Sequence, residues 1–147
     1  MKAKAFQIRN AIFWAMIVIF VSLVAVVLRF GRLGGLKLPS STMIYLAVAF
    51  FVLAAALVVL TAKLKESGVR KFFFILTGAS AIGIPVCAIL HNLVFALCVK
   101  FNCIYWEGTD EPVFFILALL VCPGLFILGI LGSIVLLISA KLRKKES

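Results

Sequence analysis

The chain has 147 residues, 65% of them hydrophobic and only 14% charged, with a formal net charge of +10. Water-soluble domains carry about a quarter charged residues, and a chain this short keeps much of its surface exposed, so the composition excludes an ordinary soluble globule. The mean hydropathy of +1.27 points to lipid as the covering medium.

The apolar residues fall into four runs, none containing Lys, Arg, Asp or Glu. A helix crossing the hydrocarbon needs about 20 mostly apolar residues. The first run, 11–28, follows Lys2, Lys4 and Arg9, and Trp14 lies near its start. It is long for the apolar core of a signal peptide and lacks a clean small-residue cleavage site, so it is expected to stay as a signal anchor. A basic connection, RFGRLGGLKLPSST, leads to the second run, 43–62, which has Tyr45 near its start and three consecutive alanines at Ala54, Ala55 and Ala56. Trp and Tyr at those places suit the aromatic belts of a bilayer. Both runs read as scaffold or lipid-facing wall.

The third run, 72–99, is of another kind. It holds Gly78, Ser80, Gly83, Pro85, Cys87, His91, Asn92 and Cys98. The fourth, 112–140, holds Cys122, Pro123, Gly124, Gly129, Gly132 and Ser133. Small residues let membrane helices approach closely, so Gly83, Gly124, Gly129 and Gly132 mark these two as the best-packed pair. Pro85 and Pro123 each remove a backbone hydrogen bond and predict a kink. Strands are not expected, because barrel strands alternate polar and apolar residues and these runs are apolar throughout.

The fold expected is all-α: a polytopic membrane protein with four transmembrane helices in an antiparallel bundle, forming a single domain over 1–147. Short loops rich in Lys and Arg stay in the cytoplasm. With the amino terminus inside, eleven of the fifteen cations fall on the cytoplasmic side, among them Lys63, Lys65, Arg70 and Lys71. Only Arg29, Arg32, Lys37 and Lys100 fall outside. Both termini are therefore expected in the cytoplasm of a cell or inner membrane. The positive charge reads as attraction to anionic lipid head groups, and no nucleic-acid-binding motif accompanies it.

Chemistry is concentrated in the second half. On a helix turning about 100° per residue, Cys87 and His91 share a stripe. Counted from Val99, Cys87 lies about 18 Å deep, and counted from Pro112, Cys122 lies about 15 Å deep. Cys87, His91, Asn92 and Cys122 thus form a candidate polar or thiol cluster. Free cysteine packs like a small hydrophobe, so the expectation is two separate thiols, with His91 hydrogen-bonded near Asn92 or the last outer loop. A metal site would have to add Asp110, Glu111 or Cys98 to His91, and no ligand-spacing motif supports one. Cys98 and Cys103 are a candidate outer-loop disulfide. Thr109, Asp110 or Glu111 can cap the last helix, with Pro112 in its first turn.

An accessory role needs no catalytic group, which suits a chain so poor in polar residues, and no cofactor is expected. The leading expectation is an accessory or assembly component that works through helix packing, in a homo-oligomer or a larger membrane complex. A small transporter or channel is the alternative. Dual-topology multidrug exporters are similar in size and helix count, but they depend on a membrane-embedded carboxylate, which no run here contains. A membrane thiol oxidoreductase or metal-binding protein is the second alternative.

Overall fold

The computed structural model describes residues 2–33, 40–66, 68–101 and 112–146. All of its regular elements are helical, and no strand occurs among the described residues. Helix α1 spans Lys2–Leu33, α2 Ser40–Lys63 and α3 Gly68–Lys100. The last stretch begins as α4, Pro112–Ile116, widens into a π-helical turn over Leu117–Val121, and continues as α5, Cys122–Glu146. Among the described residues, four segments are long and apolar enough to cross a membrane: Lys4–Val26, Ile44–Lys63, Gly68–Lys100 and Pro112–Ala140.

The helices outrun the apolar stretches that announce them. Helix α1 starts nine residues before Ala11, because Lys2, Lys4 and Arg9 are ordinary helix formers. Apolar length reports the thickness of hydrocarbon, whereas helix length is set by where backbone hydrogen bonding stops.

The chain divides into two compact units, Met1–Ser67 and Gly68–Ser147. The boundary lies at Gly68, whose φ of +52° is the left-handed conformation that a residue without a Cβ adopts at little cost.

In the first unit α1 and α2 run antiparallel. Arg9, near the start of α1, pairs with Glu66, just beyond the end of α2, and Phe20 stacks on Phe50 with ring centroids 6.2 Å apart. Phe13, Met16, Phe50, Ala54 and Leu57 are buried. Of the three consecutive alanines, Ala54 is the one fully buried.

In the second unit α3 lies antiparallel to the α4–α5 stretch. Phe73 meets Gly132, Thr77 meets Gly129, Gly83 meets Cys122, and His91 meets Phe115. One position rises as the other falls by nearly equal steps, so a single register holds across the π-turn.

The two prolines behave differently. Helix α3 runs through Pro85 without a break. Before Pro123 the helix widens, and the Cys122 amide donates to the Leu117 carbonyl five residues back. A proline ring crowds the carbonyl four residues earlier, and a wider turn relieves that crowding.

Candidate functional site

The α3–α5 seam is built on small residues. A Cβ added at Gly129 would stand 2.5 Å from the Thr77 Oγ1 and 2.8 Å from its backbone nitrogen. One added at Gly132 would run into the Phe73 ring. At Gly83 the nearest atom would be the Cys122 Sγ at 2.7 Å. Gly124, by contrast, has open space where a side chain would go. Three of the four glycines singled out for packing therefore lie on the seam, and Gly124 faces away from it.

Hydroxyls line the same seam. Thr77 donates from Oγ1 to the Phe73 carbonyl at 2.8 Å, and Ser80 donates to the Leu76 carbonyl at 2.6 Å. Each is satisfied by its own helix, which lets a buried hydroxyl sit in apolar surroundings. Ser133 on α5 is also buried, and its Oγ makes no hydrogen bond among the described residues.

Cys87 and Cys122 come together. Both are free thiols, on stretches of α3 and α5 that face each other at Gly83. The reason is local. Gly83 precedes Cys87 by one helical turn, and its missing side chain leaves the notch that admits the Cys122 sulfur. The two thiols are thus free and unbonded, as expected, and the notch at Gly83 sets the Cys122 sulfur one turn from Cys87.

The rest of the candidate cluster is dispersed. Asn92 turns back to its own helix, donating from Nδ2 to the Ala88 carbonyl at 2.8 Å. The His91 ring lies against Phe115, centroids 5.5 Å apart and planes tilted by 51°. No group of three or more His, Cys, Asp or Glu able to hold a metal comes together among the described residues. Cys103, Asp110 and Glu111 lie outside those residues, as therefore does one half of the Cys98–Cys103 bridge.

One charged constellation went unforeseen. Arg9 is 1% exposed, and its Nη1 pairs with the Glu66 carboxylate. Its Nη2 donates to the Asn10 Oδ1 at 3.1 Å, and the guanidinium lies 5.2 Å from the Phe6 ring centroid. A buried guanidinium is tolerable only when paired and hydrogen-bonded, and these three neighbours meet that need. The signal available was Glu66 itself, a lone acid among Lys63, Lys65, Arg70 and Lys71.

Compared with known proteins, the chain matches no protein family, no curated protein and no solved structure.

Proposed function

We propose that this chain is a small integral membrane component that acts through helix packing, as an accessory or assembly subunit of a homo-oligomer or a larger membrane complex. The observation that carries this reading is the distribution of side-chain size. Small and hydroxyl side chains gather on the α3–α5 seam, with Gly83, Gly129 and Gly132 in contact. Elsewhere the helices present large exposed apolar residues, among them Val48, Val52, Leu120, Leu128 and Val135. Such faces need lipid or protein cover, and the bilayer supplies the first.

The orientation belongs to the same proposal. With eleven cations on the side of the termini and the 63–71 connection, and four on the other, both termini lie in the cytoplasm of a cell or inner membrane.

The experiment is purification of the tagged full chain in a mild detergent, with the mass of the protein component measured by light scattering. A stoichiometric membrane partner or a defined homo-oligomer is expected. A monodisperse monomer with no partner, obtained in several mild detergents, would remove the basis for the assembly reading.

A further inference from the structure

The neighbouring thiols carry an inference that does not depend on the assembly reading. We propose that Cys87 and Cys122 form a redox-active dithiol inside the bilayer, closed to a disulfide by a lipid-soluble oxidant of the quinone class.

Geometry supplies the pair. The two cysteines lie on different helices, and the Cys122 sulfur rests in the notch at Gly83, one turn before Cys87 on the same stripe. Both thiols are free. Closing the bond brings the sulfurs to about 2.0 Å. Cys122 is the first residue after the π-turn Leu117–Val121, a departure from α geometry that recurs at functional sites. A turn one residue wider than its neighbours can change register, which gives Cys122 a means of moving along α3 toward Cys87.

Depth decides the reaction partner. Cys87 is 13 residues from Lys100, the end of α3, or about 19 Å along the helix. Cys122 is 10 residues from Pro112, or about 15 Å. Aqueous thiol–disulfide exchange runs through a thiolate and requires access to the attacking sulfur, and an anion in hydrocarbon is costly. The suitable oxidant is therefore apolar and takes up two electrons together with two protons, leaving no charge behind. A quinone does this. Two Cys–SH and one quinone give one Cys–S–S–Cys and one hydroquinone: both S–H bonds break, one S–S bond forms, and the two protons and two electrons pass to the quinone oxygens. Reactants and products are all neutral.

A soft metal ion bound between the same sulfurs is the competing use of such a pair. A monovalent ion on two thiolates would leave a net negative charge in the hydrocarbon, and no third ligand is gathered among the described residues. Disulfide chemistry is free of that cost.

The test uses the full natural chain in lipid vesicles. One sample receives a short-chain benzoquinone and another receives glutathione disulfide at the same concentration. After quenching with maleimide in denaturant, disulfide-linked peptides are mapped by mass spectrometry. The quinone is expected to give a linked peptide pair containing Cys87 and Cys122, reversible by reductant, in at least about tenfold greater yield than glutathione disulfide. Cys122→Ser, prepared in parallel, should lose that pair while any link at Cys98 persists. Persistence of both thiols under excess quinone would overturn the proposal. So would a stable quinone adduct on one sulfur, or equal yield with glutathione disulfide, which would place the pair in reach of water.

Discussion

Replacing Gly83 with Cys tests the α3–α5 register directly. The variant Gly83→Cys is made in a chain whose Cys87, Cys98 and Cys103 are Ser, so that Cys122 is the one native cysteine left. The new Cβ would stand 3.7 Å from the Cys122 Cβ, inside the roughly 3.5–4.5 Å found across disulfides. It would also stand 2.7 Å from the Cys122 sulfur. Across a formed bond that separation is about 3 Å, so a small turn of the sulfur relieves the clash and completes the geometry. The bond would close a loop of about 40 residues, a constraint worth about 4 kcal/mol in the chain-entropy account. A protease site placed within residues 102–111 makes the bond visible. After a lipid-permeable oxidant and cleavage, the two fragments should migrate together until reductant is added, and the oxidised chain should resist SDS unfolding better than the reduced one. Fragments that separate without reductant, with both thiols still open to maleimide in SDS, would show that positions 83 and 122 do not face each other.

Three further outcomes follow from the same contacts. Gly129→Leu should cost about 1–3 kcal/mol in detergent unfolding, because the Thr77 backbone at 2.8 Å cannot yield, and equal stability with the parent would place Gly129 against lipid. Gly124→Ala, made in open space, should change stability by no more than about 0.5 kcal/mol; a larger loss would mean that something packs there. Glu66→Gln leaves the buried Arg9 guanidinium without its counter-charge and should cost about 3–5 kcal/mol, whereas replacing Arg9 and Glu66 together with Leu should cost less. A double variant less stable than Glu66→Gln would count against a buried pair.

The four spans were legible because their signal is collective. An uncharged run of about 20 apolar residues matches the thickness of the hydrocarbon, and a chain this small has no core that could bury four of them. Helix ends were not legible, since helix continues through cationic flanks such as Lys2–Arg9 with no change in hydrogen bonding. The π-turn was also hidden: Pro85 and Pro123 look alike in sequence, yet only the helix around Pro123 widens.

At the candidate site, similar depth on consecutive antiparallel helices was enough to set Cys87 and Cys122 as a pair worth testing. It could not say where the Cys122 sulfur lies, because that depends on the rotation of α5, which the notch at Gly83 fixes. The same rotation decides that Gly129 and Gly132 meet α3 while Gly124 does not. Arg9 was read as a flanking cation because its burial depends on Glu66, 57 residues away. Single-helix periodicity carries no information about a partner at that distance.

Four membrane crossings would place the 63–71 connection and the last loop on opposite faces of the bilayer. The most direct measurement is labelling of single cysteines, Ser67→Cys and Gly108→Cys, each in a chain whose four native cysteines are Ser, by an impermeant maleimide added to intact cells and to inverted membranes. Position 67 should react only in inverted membranes and position 108 only in intact cells. Labelling of both positions from the same face would contradict the four crossings, and the reverse pattern would show that Arg29, Arg32 and Lys37 had set the orientation instead.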